Sequence, residues 1–404
     1  MSETPSPIKP TLGLVEFVAL MALMTSLVAL SIDAMLPALI QIGEALHAND
    51  PHDAHLIVSI FFGGMAFGQL FFGPYSDTRG RREAILLGIS IFVVGTVVCM
   101  MADDMSTMLA GRLIQAFGVS GPRVAAMAII RDLYVGDAMA RVMSFIMMVF
   151  ILVPMIAPMV GQAVLTFFHW THIFTLFLIV SVFTGTWFLS RQPETLPADR
   201  RGRFAWSKFF QASKFILTHG NVMGYTVAMG FMFGAFLGYL SASQTIFQEY
   251  YDTGTMFPFI FAFLAFSIGL ASFFNGTMVV RFGMKKLVGI ALYGVVGFSV
   301  VFLALITAFS GLPPLTLLLP VMFCGFFFVG ILFGNLNALA MQPLGQMAGL
   351  GAAIIGSMSS IFSVPIALSI DSFLNGTLYP IGFGFLIFFS LAFVSVRFAE
   401  KSVH

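Results

Sequence analysis

Four charged side chains lie inside long apolar stretches of this sequence: Glu16, Asp33, Arg112 and Arg123. An ionisable side chain in such a stretch is costly to bury and is usually retained for binding or proton transfer. Asp33, Arg112 and Arg123 therefore predict a cavity that binds a ligand and moves protons. Glu16 lies near the start of its stretch, where an interfacial carboxylate at a helix N-terminus is the better interpretation.

Each of the three deeper charges has a second interpretation. Asp33 lies about 30 Å along a helix counted from residue 13, so it is either a proton-carrying cavity acid or a helix-end acid before Pro37. Arg112 either couples to Asp33 in the cavity or only neutralises an acid. Arg123 follows eleven residues later, nearly three helical turns, so both arginines point the same way. Arg123 either lines the cavity or snorkels to the surface.

The composition is that of a membrane protein rather than a soluble one. Hydrophobic residues make up 59% of the chain and charged residues 9%, whereas a soluble domain has about 25% charged residues. The net charge of +1 gives no bulk attraction to nucleic acid. Cys99 and Cys324 both fall in apolar runs and are predicted to be unpaired packing residues. We find no nucleophile–base set and no metal-ligand spacing, which argues against an enzyme and predicts neither metal nor cofactor.

Twelve apolar runs are long enough to cross a bilayer, which takes about 20 residues of helix. The predicted spans cover residues 13–45, 55–78, 84–102, 106–130, 139–166, 170–190, 220–247, 255–281, 285–309, 313–341, 346–370 and 375–397. The predicted fold class is an all-α membrane protein with 12 transmembrane helices in two six-helix halves. The predicted domains are a tail at 1–12, bundles at 13–190 and 220–397, an interdomain linker at 191–219 and a tail at 398–404.

The lysines and arginines predict the orientation of these spans. With the N-terminus in the cytoplasm, every one of the 19 except Arg112 and Arg123 falls on the cytoplasmic side, while Asp371 and the other loop acids near Asp50, Asp103 and Glu249 fall outside. Basic residues concentrate in cytoplasmic loops of membrane proteins. Both termini are therefore predicted to be cytoplasmic.

The two predicted halves repeat one pattern after their second span. Gly73, Gly80 and Arg82 are matched 203 residues later by Gly276, Gly283 and Lys285. Two parallel halves of this kind place a substrate site between them, near the middle of the membrane.

Three short motifs lie in the first half. The loop after span 2 reads Gly73-Pro-Tyr-Ser-Asp77-Thr-Arg79-Gly80-Arg81-Arg82, and span 4 contains Arg112-Leu-Ile-Gln115-Ala-Phe-Gly118. Span 5 contains the spaced set Pro154, Pro158 and Gly161. Together with Asp33 and Pro37 in span 1, these motifs resemble the major facilitator superfamily, and within it the Bcr/CflA branch of twelve-span drug:proton antiporters.

The resemblance implies roles that the residues alone leave open. It implies that Asp33 carries the coupling proton, and that Asp77 and Arg81 lock the two halves when the cytoplasmic side is closed. By charge alone the loop is a cytoplasmic anchor, and the prolines alone are ordinary kinks. The gating candidates are Asp77, Arg79, Gly80, Arg81, Arg82, Pro154, Pro158 and Gly161. Two departures from the family pattern are Thr78, where Arg is usual, and Met127, which puts the substrate class in question.

The second half has no charge in the middle of its spans. Its best polar candidates for the cavity are Tyr239, Gln244, Asn335 and Asn337, which join Asp33, Arg112, Gln115 and Arg123 from the first half. Hydrogen bonding between helices is the alternative role for each amide.

The sequence predicts a proton-coupled secondary transporter that exports small drug-like molecules by alternating access. The alternative is a proton-coupled transporter of one anionic or zwitterionic metabolite. The predicted partners are the small-molecule substrate, protons and the lipid bilayer. The chain is expected to act as a monomer in a bacterial inner membrane, with the proton gradient as its energy source.

Overall fold

The computed structural model describes residues 12–48, 53–134, 136–197 and 206–402, and the regular structure in these ranges is helical. The first group of helices, which we call the N-group, runs from α1 to α7. Its bounds are α1 Leu14–Asp33, α2 Leu39–Ala45, α3 Asp53–Arg79, α4 Arg81–Met100, α5 Met105–Leu133, α6 Gly136–Phe167 and α7 Thr171–Arg191.

A short helix, α8 (Trp206–Thr218), follows the N-group and precedes the second group, which we call the C-group. The bounds of the C-group are α9 Gly220–Gln244, α10 Phe257–Phe282, α11 Met284–Ala308, α12 Leu315–Met341, α13 Ala348–Asp371 and α14 Tyr379–Lys401.

Eleven of the described helical segments are long and apolar enough to cross a membrane. The remaining predicted span, span 5 at 139–166, corresponds to α6, in which Leu152–Phe167 forms a shorter apolar stretch. These helices form because leucine, alanine, methionine and phenylalanine supply helix-compatible apolar side chains, and because lipid obliges every backbone group to bond within its own helix.

The predicted first span, 13–45, is broken in the middle. Helix α1 ends at Asp33, a single 3₁₀ turn covers Leu36–Ala38, and α2 begins at Leu39. The turn contains Pro37, which has no backbone N–H and clashes with the preceding turn of an α-helix. The break therefore places Asp33 at a helix end rather than inside a continuous span.

The polar linker predicted at 191–219 contains α8, a helix that the apolar runs do not predict. Within α8, Ile216 is fully buried whereas Phe210 and Leu217 are exposed. This helix packs against α9 and α13. A 13-residue helix is too short to span a bilayer but long enough to lie along one.

Short connections make successive long helices run in opposite directions. One end of the bundle therefore carries the end of α1 and the start of α3, and we call it the His55 end. The opposite end carries the loop between α3 and α4, and we call it the Arg81 end. The two groups meet mainly where α3 packs along α13 and α6 packs along α10.

Candidate functional site

The side chain of Asp33 is buried at the end of α1, with 5% of its surface exposed. Among the described residues, no hydrogen bond or ion pair reaches its carboxylate. A buried carboxyl group without a partner is costly in its charged form. The site can therefore hold a proton or receive a cationic or hydrogen-bonding group.

Helix α6 packs closely against this part of α1. A Cβ atom added to Gly161 would lie 1.9 Å from the backbone oxygen of Ala34, the residue after Asp33. Only glycine permits that approach of the two backbones. Pro158, one turn earlier on α6, is also buried, and Pro154 is half-buried. Gly161, the last residue of that spaced set, therefore lies against the helix end that carries Asp33.

Arg112 is completely buried on α5, between α3 and α4. Its Nε donates to the backbone oxygen of Ile57 at 3.2 Å, and its Nη1 donates to Oε1 of Gln115 at 2.5 Å. The guanidinium also lies 4.2 Å from the ring centre of Phe61. Gln115 in turn donates to the Thr96 hydroxyl at 2.8 Å, so Arg112 and Gln115 form one network across three helices.

This network does not include Asp33. Arg112 has no carboxylate partner among the described residues, and its Nη2 atom is buried without an acceptor. The predicted coupling of Arg112 to Asp33 therefore involves no direct contact in this conformation. An unpaired guanidinium nitrogen in a buried position is available to an anion or a carbonyl oxygen.

Arg123 lies on the same helix as Arg112, and α5 continues through Pro122 without a break. Its side chain is half-buried and makes no hydrogen bond or ion pair with the described part of the chain. The two arginines share a helical face, but only Arg112 is enclosed.

Aromatic rings join the N-group to the C-group near the centre of the bundle. Phe62 of α3 meets Phe233 of α9 edge-on at 5.1 Å. Phe236 and Tyr239 continue along α9, and Tyr239 meets Phe326 at 4.8 Å. The buried Tyr239 hydroxyl has no hydrogen-bond partner within the described ranges. This cluster offers apolar surface and one free hydroxyl to a ligand of mixed polarity.

The three amide candidates of the C-group occupy different surroundings. Gln244 donates to the backbone oxygen of Pro37 at 2.6 Å and accepts from the backbone N–H of Ile40 at 3.2 Å, so its amide bridges the two groups. Asn335 is buried and donates to Oδ1 of Asn275 at 2.6 Å, which ties α12 to α10. Asn337 is exposed.

The loop between α3 and α4 forms a dense hydrogen-bond network around Arg81. Its Nη1 donates to Asp77 and, at 3.1 Å, to the Ser76 hydroxyl, while its Nε donates to Asp132 at 3.0 Å. Arg81 is buried. All four residues belong to the N-group, so in this conformation the network fastens α3, α4 and α5 to each other.

Glu194, just beyond α7, caps the start of α4. Its two carboxylate oxygens each accept at 3.0 Å, from the backbone N–H groups of Arg81 and Arg82. Gly80 has a φ of 122° and lies so close that a Cβ atom would be 2.5 Å from Glu194. Arg82 donates to the backbone oxygen of Leu189 at 2.7 Å, whereas Arg79 is exposed.

Comparison with known proteins agrees with this architecture. The sequence matches the profile of the Major Facilitator Superfamily over residues 21–368. The chain belongs to that superfamily. It is therefore a multi-pass membrane transporter and not an enzyme, and the resemblance to the superfamily's drug:proton antiporters is confirmed by its relatives.

Two relatives carry names that concern drug resistance. A bicyclomycin resistance protein homolog from Haemophilus influenzae is 29% identical over 350 residues, 85% of each chain. The multidrug resistance protein MdtL of Klebsiella pneumoniae is 27% identical over 337 residues, 80% of each chain.

Two solved structures share the fold at low sequence identity. The partially occluded, inward-open xylose transporter XylE from E. coli superposes with a TM-score of 0.73 at 14% identity, covering 96% of this chain and 97% of that one. The human organic anion transporter MFSD10 has a TM-score of 0.67 at 16% identity, covering 96% and 100%.

The gating role of Asp77 stays a prediction, and one substitution tests it directly. If Asp77 stabilises the state that is closed at the Arg81 end, Asp77→Ala should shift the population toward opening at that end. Arg81 keeps its bond to Asp132, so we expect a shift of a few-fold rather than unfolding. Spin-label distances across the Arg81 end measure the shift. Asp103→Ala, at an exposed position at the other end, is the control, and identical distributions for both variants would reduce Asp77 to an anchor.

Sequence reasoning missed the polar residues that connect the two groups at the His55 end. His55 begins predicted span 2 and Asp371 follows predicted span 11, and neither was considered as a site residue. Thr245, next to Gln244, was also overlooked. The available signal was their common position, because all three fall at the same predicted end of their spans.

Glu16 is confirmed as a carboxylate in the first turn of α1. Its two oxygens accept from Nε and Nη2 of Arg191 at 2.7 and 2.9 Å, and the Trp187 indole lies 3.3 Å away. This pair joins α1 to α7 inside the N-group.

Proposed function

We propose that this protein exports small organic molecules across the bacterial inner membrane in exchange for protons. In this proposal twelve spans form two six-helix halves, the N-group and the C-group, and the substrate binds between them. The protein acts as a monomer. It needs no cofactor, because the proton gradient supplies the energy.

The observation that carries the proposal is the buried carboxyl group of Asp33, which has no partner in the described part of the chain and lies where α6 packs against α1. A group that drives transport must bind protons differently in the two states of the cycle. Asp33 meets this requirement if opening at one end exposes its carboxyl group to water and closing shields it from water. The names of the drug-resistance relatives support a drug-like cargo.

The distribution of basic residues supports the proposed orientation. The Arg81 end carries the basic residues Arg79, Arg131, Arg191, Lys285 and Arg397. The described loops at the His55 end carry no lysine or arginine. By the positive-inside rule, the Arg81 end is cytoplasmic and the His55 end is outside. Both termini are then cytoplasmic.

Reconstitution into proteoliposomes tests the proposal. With an imposed pH gradient, the protein should move a fluorescent drug-like substrate uphill and carry protons in the opposite direction. Substrate movement that is unaffected by the pH gradient and by its collapse with an ionophore would contradict proton coupling.

A second candidate, transport of one anionic or zwitterionic metabolite, is favoured by one observation. The Arg112 guanidinium is buried with no carboxylate partner among the residues that the structure describes, and Arg123 is half-buried on the same helical face. A substrate carboxylate would satisfy the free nitrogen of Arg112.

The two candidates differ in the charge of the preferred substrate. With Asp33 ionised, the two arginines leave the region at about +1 by formal count, which should favour anionic or neutral compounds over lipophilic cations. We therefore expect anionic and neutral competitors to displace the substrate better than cationic dyes in a binding assay.

Arg123→Lys tests whether that side chain contributes to binding. Lysine keeps the charge but loses the planar fork that holds a carboxylate, so we expect substrate affinity to fall about fivefold or more while folding is unchanged. Arg281→Lys, at an exposed position at the Arg81 end, is the matched control. If Arg123→Ala binds normally and cationic dyes compete best, Arg123 only snorkels to the surface.

A further inference from the structure

Three side chains form a buried contact between the two groups at the His55 end. His55 and Asp371 are 2% and 5% exposed, and Nδ1 of His55 is hydrogen-bonded to the Asp371 carboxylate. Nε2 of the same ring lies 2.9 Å from the Thr245 hydroxyl. His55 belongs to α3 of the N-group, whereas Thr245 and Asp371 belong to the C-group.

The contact uses both nitrogens of one imidazole. With its proton on Nδ1, the ring donates to Asp371 and accepts from the Thr245 hydroxyl. Hydrogen bonds to an ionised carboxylate are among the stronger ones in proteins, and a buried pair is costly to break because each partner is then left unsatisfied. Only a rearrangement that wets this end can replace the lost bonds with water.

A second bridge between the groups adjoins the first. Gln244, the residue before Thr245, is hydrogen-bonded to the backbone of Pro37, in the break that follows Asp33, and to that of Ile40, in the first turn of α2. Thr245 opens a π-helical segment, Thr245–Tyr250, and such segments occur often at functional sites. One short piece of the C-group therefore contacts both His55 and the chain just beyond Asp33.

We propose that His55, Asp371 and Thr245 form an interdomain lock, here called the outer lock, that holds the His55 end closed and must open for substrate to leave there. Asp371 holds His55 from the C-group side, and His55 is a gating residue rather than a part of the substrate cavity. Gln244 places the lock next to the helix end that carries Asp33.

The proposal rests on the alternating-access part of the proposed function but not on proton coupling or on the nature of the cargo. Its test therefore measures distance without substrate, at one pH and without a gradient. A shift in distance without proton-driven transport would leave the lock standing and overturn the proposed function. Proton-driven transport without a shift in distance would overturn the lock and leave the proposed function standing.

The experiment uses the full-length protein in lipid nanodiscs. Spin labels are placed at Glu44→Cys on α2 of the N-group and Asn375→Cys after α13 of the C-group, two positions that are both exposed. The two native cysteines are replaced by alanine. Distance distributions are then recorded for the labelled parent, His55→Gln, Asp371→Asn and the double variant.

We expect each single substitution to raise the ratio of long to short distances by about tenfold, because each removes the same buried bond. The double variant should add little to either single one, since residues in direct contact are not additive. Thr245→Val removes only the hydroxyl and should give a smaller shift in the same direction. Thr245→Val also tests the outer lock if a His55 or Asp371 variant fails to fold.

Glu16→Gln provides the matched control. It weakens an ion pair with Arg191 that lies wholly within the N-group, so the distances at the His55 end should not change. Unchanged distributions in the folded His55, Asp371 and Thr245 variants would overturn the proposal. So would an equal shift in Glu16→Gln, because the effect would then reflect general loosening.

Discussion

Asp33→Asn should abolish proton-driven export while leaving the protein folded and inserted. Asparagine has nearly the shape of a protonated aspartic acid but cannot release a proton, and Asp33 makes no described hydrogen bond that the amide would disturb. We expect uphill transport to fall by about a hundredfold, whereas substrate binding and downhill exchange persist. Flux in proteoliposomes with and without a pH gradient gives the measurement.

Glu16→Gln is the control for this substitution, because it also replaces a carboxylate of α1. Its carboxylate is bonded to Arg191 near the helix start, far along the helix from Asp33. We expect nearly normal uphill transport from it. An Asp33→Asn protein that still expels substrate against its gradient would exclude Asp33 as the coupling group.

Gly161→Ala should disrupt transport through packing alone. The added methyl group would lie 1.9 Å from the Ala34 oxygen, so the backbones of α1 and α6 must separate. Overpacking of this kind costs about 1–3 kcal/mol, and here the displacement falls beside Asp33. We expect at least a tenfold loss of transport and a lower temperature of unfolding.

Gly63→Ala supplies the comparison, because a Cβ atom at Gly63 on α3 would have no atom of the described chain within 4 Å. Both variants make the same chemical change in a helix of the N-group. If both transport equally well, the close approach of α6 to α1 has no part in the cycle. If Gly161→Ala unfolds the protein, the close approach of α6 to α1 is needed mainly for folding.

The two substitutions probe the same place by different means. Asp33→Asn changes which protons the end of α1 can hold, and Gly161→Ala changes how α6 fits against that end. Loss of proton coupling with normal binding is expected of the first, and loss of both is expected of the second. The difference separates the chemistry of Asp33 from the geometry around it.

Composition and local order were enough to predict the long apolar helices and to indicate several candidate site residues. A run of some twenty apolar residues has few alternatives to a membrane helix, because lipid cannot bond an open backbone. The burial of Asp33 and Arg112 followed from the same runs. Gly161 and Arg81 were singled out because the motifs that contain them resemble those of the major facilitator superfamily.

What the tertiary structure alone decided is which of these residues meet. The His55 and Asp371 side chains lie 316 residues apart in sequence, and their bond depends on how α3 packs along α13. Arg112 was expected beside Asp33, yet it bonds Ile57 and Gln115 because α5 turns that face toward α3 and α4. Sequence patterns report the preferences of one helix at a time, whereas contacts between helices depend on the packing of all of them together.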